Sequence, residues 1–348
     1  MPYKINMLNK SDKVKGQGVA SASLETINLI KKNFENNFEI FENEKIFADI
    51  THIHSINLSF FLKIKKLKKY GKVVGSVHFL PETLETSLKL PKFIKKIFYS
   101  YIIKMYKNMD YLVTVNPNFI EKLKYYGLDE ERISYIPNFV DDKNFFPLGY
   151  EKKQQLKEKY NIKKNKFTVL GVGQLLTRKG VLDFLKVAEK LKDFEFVWAG
   201  GFSFGVISDG YVELKKQVKN PPKNVNFLGI VERNKMNEIY NLADVLFLPS
   251  YNELFPMTIL EAMNCNIPIL VRDIEIYKNI LFNFYLKEIN IEGFVKILNK
   301  LKKDKTFYEK AVEKSSNGHK FYSSKHVLKM WQQFYKKILS SPVNDNVD

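Results

Sequence analysis

Short apolar segments alternate with helical segments along the chain, and this alternation constrains the fold more than any other feature. In the first half, strands are predicted at residues 3–8, 48–54, 73–78, 111–115 and 133–136, with helices at 20–33, 58–69, 91–107 and 117–126. Strands that alternate with helices build a parallel, doubly wound sheet, because each helix returns the chain to the end of the sheet where the previous strand began.

A second series of the same kind begins near residue 150. Strands are predicted at residues 167–172, 195–199, 225–228, 245–248 and 268–271, with helices at 180–191, 211–218, 234–242 and 255–264. Residues 137–149 are predicted to link the two series. The sequence therefore predicts an α/β protein of two Rossmann-like, doubly wound domains that face a cleft, residues 1–145 and 146–325, with ligands at the carboxyl ends of the strands.

The composition favours well-buried cores. The 348 residues are 45% hydrophobic and 14% aromatic, which argues against disorder. The single cysteine, Cys265, excludes an internal disulfide and a zinc–cysteine cluster, as in a reducing cytoplasm. Residues 1–11 are too polar for a signal peptide, and no apolar run is as long as a bilayer span. We therefore expect a protein that is cytosolic or peripheral to a membrane.

Positive charge is concentrated in one part of the chain. The net charge is +18, and residues 60–107 contain twelve lysines against two glutamates. Within residues 91–107 apolar and aromatic residues alternate with lysines, which on a helix is typical of an interfacial membrane helix. Two plainer interpretations stay open: a helix that packs its stripe on its own sheet, and a codon bias that favours lysine everywhere. Attraction to a polyanion, either anionic lipid or nucleic acid, is the sharper one.

Residues 249–262 carry the most specific chemical pattern. A strand runs into a turn that contains Glu253, and the helix that follows contains Glu261, eight positions later. The helix start, at residues 255–258, offers unpaired N–H groups and a positive dipole end that suit a phosphate. Carboxylates before and inside such a helix can accept hydrogen bonds from sugar hydroxyls and a ribose diol. The segment predicts a nucleotide-sugar site; the alternative is a surface helix with two solvated glutamates.

Residues 171–180 combine glycines, among them Gly173, with two cations at the end of a predicted strand. Arg178 and Lys179 precede a helix, where a guanidinium fork and a mobile ammonium can neutralise a diphosphate. The alternative is two solvated basic residues beside a tight turn.

Other glycines lie where a ligand can approach the backbone closely. Gly16 and Gly18 lie between the first strand and the first helix, without the third glycine of a dinucleotide-binding motif. Gly200 and Gly229 end strands of the second series. Each of these turns is also explained as a tight corner alone.

Histidines mark strands of the first series. His78 ends a strand and is followed by Glu82 and Glu85, which makes all three candidates for contacting an acceptor. The alternative for His78 is a satisfied core histidine. His52 and His54 share one strand face, but further ligands of suitable spacing are lacking in the sequence, so no metal site is predicted.

The E-x7-E spacing and its setting resemble the family-4 retaining glycosyltransferases, which have the GT-B fold. Residues 14–22, 78–85, 199–211 and 220–224, together with 249–262, resemble more closely the glycolipid synthases of Gram-positive bacteria and mollicutes within that family. Those enzymes add a second α-linked hexose to monoglucosyldiacylglycerol. The resemblance covers nearly the whole chain and implies a retaining hexosyltransferase that uses UDP-glucose or UDP-galactose.

The resemblance also implies a role for each candidate residue. Arg178 and Lys179 would stabilise the leaving UDP, Glu253 would bind the donor hexose, and His78 would lie on the acceptor side. The implied catalytic residues are Glu253, Arg178, Lys179 and His78; the donor-binding residues are Gly16, Gly18, Gly173, Gly200, Gly229, Phe255, Pro256, Met257, Thr258 and Glu261; the acceptor contacts are Glu82 and Glu85.

Partners and location follow from the same resemblance. The donor would be a UDP-hexose and the acceptor glucosyldiacylglycerol. The product would be a diglycosyldiacylglycerol, as a membrane lipid or lipoteichoic acid anchor. No metal and no tightly bound cofactor are implied, and activation by anionic phospholipid is left open. The N-terminal domain would face the acceptor and an anionic membrane surface through residues 60–107. The C-terminal domain would bind the nucleotide sugar, and residues 326–348 would form a helix that crosses back to the N-terminal domain. We therefore expect a cytoplasmic enzyme, peripheral on the inner face of the cell membrane.

Three other interpretations remain. A glycosyltransferase that acts on a polysaccharide or another lipid-linked sugar would be indifferent to anionic lipid. A basic nucleic-acid-binding protein would leave the nucleotide-sugar pattern unexplained, and the sequence has no recognisable nucleic-acid motif. A catalytically silent membrane scaffold is disfavoured by the intact glutamate pair and basic pair. The choice between UDP-glucose and UDP-galactose is not made by the sequence.

Overall fold

The computed structural model describes residues 1–10, 18–34, 37–78, 80–81, 92–202, 205, 208–253 and 255–341. Contacts within the chain divide it into two compact units. Unit 1 is Met1–Phe139 together with the segment that begins at Ser324, and unit 2 is Val140–Ser323. The domain limits at residues 145 and 325 stay a prediction.

Unit 1 is built on a parallel sheet. Its strands are β1 (Tyr3–Leu8), β2 (Phe38–Glu42), β3 (Ile50–Ile53), β4 (Lys72–Val77), β5 (Tyr111–Thr114) and β6 (Ile133–Tyr135). Its helices are α1 (Gly18–Asn33), α2 (Leu58–Phe61), α3 (Ile64–Leu67), α4 (Lys92–Lys107), α5 (Asn118–Tyr125) and, from the C-terminal segment, α14 (Ser324–Ser340). The sheet is six-stranded in the order β2-β1-β3-β4-β5-β6.

Helices cover both faces of this sheet. Neighbouring residues of a strand point to opposite faces, so one strand contributes to the apolar clusters on both sides. Val73 of β4 is buried in one apolar cluster with Met105 of α4. The adjacent Val74 is buried in another, with Trp331 and Tyr335 of α14. The apolar stripe of the C-terminal helix therefore completes the core of the unit that begins at the N-terminus.

Unit 2 repeats this plan. Its strands are β7 (Thr168–Val172), β8 (Glu195–Ala199), β9 (Val225–Gly229), β10 (Val245–Leu248), β11 (Ile269–Arg272) and β12 (Leu286–Glu288). Its helices are α6 (Tyr150–Lys159), α7 (Val181–Lys190), α8 (Tyr211–Lys219), α9 (Met236–Asn241), α10 (Met257–Asn264), α11 (Glu275–Ile280), α12 (Ile291–Lys303) and α13 (Lys305–Phe321). The six strands are parallel in the order β12-β11-β10-β7-β8-β9.

The order of strands in unit 2 reverses between β7 and β10. Connections from β7 lead outward through β8 to β9, whereas those from β10 lead the other way through β11 to β12. The connections after β7 and β10 therefore lead to opposite sides of this switch point, and open α/β sheets bind their ligands at the carboxyl ends of the strands at such a point. The predicted fold class, two doubly wound parallel sheets, is confirmed by the two strand orders.

Several elements differ from the sequence-based prediction. The strands β2 and β12 lie at sheet edges, and the sequence does not predict them because their segments mix charged with apolar residues, as solvent-facing edges do. The helix predicted over residues 58–69 forms instead two short helices, α2 and α3, separated by an exposed Leu62. Helices α6, α11, α12 and α13 are further additions.

Within the described ranges, no helix combines the length and the apolar character needed to cross a bilayer.

His52 of β3 and His54, which follows this strand, belong to a buried hydrogen-bonded cluster in unit 1. His52 Nδ1 is hydrogen-bonded to the hydroxyl of Tyr335 at 2.6 Å, and His52 Nε2 to Ser76 Oγ at 2.9 Å. Ser76 Oγ is also 3.2 Å from His54 Nδ1, and the two imidazoles stack at 4.0 Å.

Burial and the neighbouring His54 and His78 lower the pKa of His52 well below its usual value. Burial, followed by the neighbouring His78, lowers the pKa of His54 to about 3, and burial lowers that of His78 to about 4. All three imidazoles are therefore neutral in the fold at pH 7.

We predict that unit 1 loses stability as the pH falls from 7 to 5. The unfolded chain binds protons on these histidines below pH about 6.5, whereas the folded His54 and His78 stay neutral until pH about 3 and about 4. Their stabilising contribution is complete above the unfolded pKa and decreases below it, by on the order of 2 kcal/mol for each group at pH 5.

Urea unfolding of the wild type and of His54→Gln at pH 7 and pH 5, followed by tryptophan fluorescence, measures this effect. Trp331 lies 5.4 Å from the His52 ring and reports on the cluster. We expect a smaller loss on acidification in the variant. An equal loss in both proteins would mean that other groups cause the acid sensitivity.

Candidate functional site

The loops that follow β7 and β10 meet at the switch point of unit 2. The backbone N–H of Tyr251 donates to the carbonyl of Arg178 at 2.8 Å, and the Arg178 guanidinium donates to the carbonyl of Asn252 at 3.2 Å. Gly180 has a left-handed φ of 70°, and a Cβ there would lie 2.2 Å from the carbonyl oxygen of Pro249. A side chain at position 180 would therefore push the two loops apart.

Lys179 and Glu253 form an ion pair across this junction. The Lys179 ammonium donates to both carboxylate oxygens of Glu253, at 2.6 and 2.8 Å. The two side chains are only 16% and 5% exposed. A bidentate, charge-assisted contact of this kind is strong where water is largely excluded. The structure thus brings together two residues that the sequence predicts as catalytic.

A second set of charged and aromatic residues supports the loop that carries Glu253. Arg272, at the end of β11, donates to the carbonyl of Pro249 at 3.0 Å and stacks over the ring of Tyr251 at 4.1 Å. The Tyr251 hydroxyl donates to Asp183 of α7 at 2.6 Å, and Asp183 also pairs with Arg272. The Asp183 hydrogen bond, and then burial, raise the pKa of Tyr251. These contacts fix the loop against strand β11 and helix α7.

The helix α10 begins directly after this loop. Pro256 is the residue at its N-cap, and no side chain caps the helix there. The N–H groups of its first turn, which includes Met257 and Thr258, are therefore open to an anion, and the helix dipole adds positive potential. Phe255 is half-buried and packs against the apolar cluster below the helix.

Glu261 lies in the second turn of α10 and is 2% exposed. The hydroxyl of Tyr240 donates to it at 2.6 Å, and the Arg233 guanidinium pairs with its other oxygen. Arg233 also lies over the ring of Phe145 at 4.7 Å. Burial, followed by the Glu261 charge, raises the pKa of Tyr240 well above its usual value. The carboxylate is held in one orientation by two donors.

Three predicted glycines meet at the carboxyl edge of the same sheet. The N–H of Gly200 donates to the carbonyl of Gly229 at 2.7 Å. Gly200 has a positive φ of 139°, and a Cβ there would lie 1.9 Å from the carbonyl oxygen of Gly173. A side chain at Gly200 would therefore prevent the close backbone packing at the ends of β7 and β8.

The remaining predicted residues belong to unit 1 or lie outside the described residues. Gly18 begins α1, and His78 directly follows β4. The Nε2 atom of His78 is buried and has no hydrogen-bond partner among the described residues. Gly16, Glu82 and Glu85 lie outside the described residues.

The sequence-based reasoning missed several residues that hold the site. They are Asp183, Arg233, Tyr240, Tyr251 and Arg272. Tyr251 lies inside the motif, and Arg272 is a charged residue at the end of a buried strand, which is a signal that marks a position at the ligand edge of a parallel sheet. Asp183, Arg233 and Tyr240 gave no such signal.

In the part of the chain that the structure describes, no three His, Cys, Asp or Glu side chains converge as metal ligands.

Two family models match this chain. The model described as Glycosyltransferase Family 4 matches residues 34–144, and the model described as Glycosyl transferases group 1 matches residues 152–320. Together they cover parts of both units.

Two curated bacterial proteins are similar over most of their length. The alpha-galactosylglucosyldiacylglycerol synthase of Streptococcus pneumoniae is 43% identical over 334 residues, which are 96% of this chain and 89% of that protein. The processive diacylglycerol alpha-glucosyltransferase of Acholeplasma laidlawii is 26% identical over 300 residues, covering 84% of this chain and 86% of that protein.

Solved structures share the fold at low identity. Anabaena HepE, in complex with UDP and glucose, superposes with a TM-score of 0.71 at 16% identity over 97% of this chain and 100% of that one. The sucrose-phosphate synthase of Thermosynechococcus elongatus gives a TM-score of 0.73 at 13% identity over 98% and 100%. With the family models and the 43% identity to the streptococcal synthase, these matches show that the chain belongs to the family-4 glycosyltransferases, which have the GT-B fold.

Proposed function

We propose that this protein is a glycolipid hexosyltransferase. It transfers a hexose from a UDP-sugar, with retention, to α-monoglucosyldiacylglycerol and forms a diglycosyldiacylglycerol. The observation that carries the proposal is the Lys179–Glu253 pair at the start of α10, placed at the ligand edge of unit 2 in a chain similar to a diacylglycerol glycolipid synthase along most of its length. The donor is UDP-glucose or UDP-galactose, and the residues of the site fit both.

Unit 2 supplies the groups that a leaving UDP requires. Lys179 and the exposed Arg178 bring two positive charges to the loop after β7. The first turn of α10 adds N–H donors and a dipole on the opposite side of the loop junction. Preorganised cations and N–H donors lower the free energy of a transition state in which negative charge develops on a diphosphate.

The two buried glutamates serve as hydrogen-bond acceptors in this scheme. Glu253 accepts from hydroxyls of the donor hexose, and Glu261 accepts from the ribose hydroxyls. Both carboxylates accept strong hydrogen bonds from neighbouring side chains, which keeps them oriented.

Retention follows from attack on the same face from which UDP leaves. The bond between the anomeric carbon and the β-phosphate oxygen breaks first, giving an oxocarbenium-like state. The acceptor hydroxyl then forms its bond to the anomeric carbon on that face, and its proton passes to the departing β-phosphate oxygen. His78 contributes on the acceptor side as a neutral imidazole, since burial holds its pKa at about 4.

We further propose that unit 1 docks on the inner face of the cell membrane through a surface formed by Phe93, Ile94 and Ile97. These apolar side chains of α4 are 67%, 38% and 66% exposed. Phe93 and Ile97 are four residues apart and share one helix face. Further along α4 the apolar residues turn inward and pack on the sheet, so only the first turns of the helix remain available.

The charge around this surface selects the occupant. Residues 60–107 hold twelve lysines and two glutamates. Helix α2 contacts α4, since the Phe61 ring lies 5.4 Å from the ring of Tyr101. A lysine-rich segment follows α2 directly. Each lysine near an anionic lipid surface contributes about 1 kcal/mol, and each buried large apolar side chain about 1.5–3 kcal/mol. An anionic bilayer satisfies both the charge and the apolar area.

The transfer reaction itself can be measured directly. Purified protein in mixed micelles with monoglucosyldiacylglycerol and either UDP-glucose or UDP-galactose should form a diglycosyldiacylglycerol, and the anomeric configuration of the new linkage, read by NMR, should be α. Absence of product with both donors would overturn the proposed acceptor. A product from a polysaccharide or another lipid-linked sugar under the same conditions would identify the alternative.

Glu253→Ala and Glu253→Gln should both lower transfer by at least about 100-fold, the size expected when donor contacts made in the transition state are lost. Glu253→Gln keeps the side-chain volume, so circular dichroism should stay close to wild type, whereas the Tm should fall because the largely buried Lys179 loses its charged partner. Glu313→Gln, at an exposed position of α13, is the matched control and should transfer at the wild-type rate. Full turnover in a folded Glu253→Gln protein would contradict the site assignment.

Phe93→Ser combined with Ile97→Ser should weaken sedimentation with vesicles that contain anionic phospholipid by at least about tenfold, because two inserted side chains are lost. Transfer to acceptor in detergent micelles should change little. Val212→Ser, which removes an apolar side chain that is 84% exposed in unit 2, is the matched control. Equal vesicle binding by all three proteins would show that this surface does not dock on membranes.

A further inference from the structure

Phe145 is a buried aromatic residue on the segment with which unit 2 begins. Its residue is only 2% exposed. The guanidinium of Arg233, in the turn before α9, lies over the Phe145 ring at 4.7 Å from its centroid. The ring of Tyr240, in α9, meets the Phe145 ring edge-on, with the centroids 5.8 Å apart and the planes at 72°. One buried ring therefore contacts two polar side chains.

Both of these side chains bind the same carboxylate. The Tyr240 hydroxyl donates to one oxygen of Glu261 at 2.6 Å, and the Arg233 guanidinium pairs with the other oxygen. Phe145 has no polar group of its own, so any effect that it has on Glu261 passes through these two donors.

The contact with Phe145 decides how firmly Arg233 is held. The Arg233 side chain is 56% exposed, whereas the Glu261 side chain is 3% exposed. A long, exposed side chain loses conformational entropy when it is held in one rotamer. The cation–π contact with Phe145 offsets part of this loss and fixes the plane of the guanidinium. The edge-on contact does the same for the ring that carries the Tyr240 hydroxyl.

The segment that carries Phe145 is itself fixed to α9. The backbone N–H of Phe146 donates to Asn237 Oδ1 at 3.1 Å, and that of Leu148 donates to Asn241 Oδ1 at 2.7 Å. The Asn241 amide donates back to the carbonyl of Phe146 at 2.9 Å. Hydrogen bonds on both sides of the backbone leave the Phe145 ring little freedom to move away from α9.

We propose that Phe145 is a positioning residue for the ribose of the donor, because it orients the two side chains that hold the Glu261 carboxylate. The inference rests on the proposed role of Glu261 as the acceptor of the ribose hydroxyls. Phe145 does not touch the donor; it acts through Arg233 and Tyr240.

Two ligands isolate the contribution of the ribose. Calorimetric titration of the wild type with UDP and with dideoxy-UDP, which lacks both ribose hydroxyls, gives the two affinities. UDP should bind at least about tenfold more tightly, because hydrogen bonds to a carboxylate are lost with the hydroxyls. The ratio of the two affinities reports on Glu261, since the base and the diphosphate are common to both ligands.

Phe145→Leu removes the ring and keeps an apolar side chain in the core. It should weaken the binding of UDP about tenfold and leave the affinity for dideoxy-UDP at its wild-type value, so the ratio should fall toward one. In transfer assays the KM for the UDP-hexose should rise by a similar factor. Phe145→Met, whose flexible side chain fills irregular space, should behave in the same way and replaces the leucine variant if that one does not fold.

Phe194→Leu is the matched control, because Phe194 makes the same kinds of contact away from the ligand edge. It is fully buried, Lys302 lies over its ring at 4.7 Å, and the ring of Phe167 meets it edge-on at 5.5 Å. It directly precedes β8, at the amino end of that strand. The variant should lose about as much Tm as Phe145→Leu and keep both affinities.

A second background tests whether Phe145 acts through the carboxylate. In Glu261→Gln, the further substitution Phe145→Leu should cause little additional loss of affinity for UDP, because the group that it orients is already gone.

Equal losses of affinity for UDP and dideoxy-UDP in Phe145→Leu would make the residue structural and overturn the proposal, as would unchanged affinities for both. Neither result would affect the proposed transfer reaction. A wild type that binds the two ligands equally would overturn the contact between Glu261 and the ribose, and this proposal with it. A wild type that binds neither ligand would overturn the proposed function as well.

Discussion

The ion pair between Lys179 and Glu253 is the contact on which the charge balance of unit 2 at its ligand edge depends. Each residue lies on a loop that leaves the sheet at the switch point, and the strand order directs these loops apart. Removing two charges from water is costly, and the cost is offset only when the contact is bidentate and the surroundings supply further hydrogen bonds. Here both oxygens accept from one ammonium, and a backbone hydrogen bond from Tyr251 to Arg178 joins the same two loops. The two opposite charges at the ligand edge therefore balance each other.

The contacts around Arg272 explain why this balance is compatible with a rigid loop. Arg272 bonds the carbonyl of Pro249 and stacks on Tyr251, and Asp183 accepts from both of these side chains. A guanidinium suits such a place, since its planar fork serves a carbonyl, a carboxylate and an aromatic face at once. The loop backbone is thus fixed from the β11 side and the α7 side, independently of the Lys179–Glu253 pair. A ligand that attracts Lys179 can break the pair without releasing the loop.

The sequence predicts the parallel sheets and the central residues of the site, because both leave strong local signals. Buried strands are continuous apolar runs, and the glutamate spacing follows such a run directly. Edge strands β2 and β12 escape detection, since half of their residues are charged and interrupt the apolar run. The partners of the site residues escape for a different reason: Asp183 meets Arg272 only through tertiary contact across 89 positions, and Tyr240 meets Glu261 across 21. Pairs of this kind are set by how the elements pack, and no local pattern in a single chain encodes them.

Buried polar groups in unit 2 fall into two classes, and the difference separates folding from function. Asn224 is buried, and its side-chain amide donates to the carbonyls of Ala188 and Leu191, so this donor group is fully paired. Ser250 and Tyr277 are buried as deeply, yet their hydroxyls have no hydrogen-bond partner within the described residues. The first arrangement stabilises the fold, whereas the second costs stability. Ser250 belongs to the loop that carries Glu253, which places its open hydroxyl beside the candidate site. Open hydrogen-bonding capacity on a loop of the site costs stability in the fold, and a ligand that forms a hydrogen bond there recovers that cost.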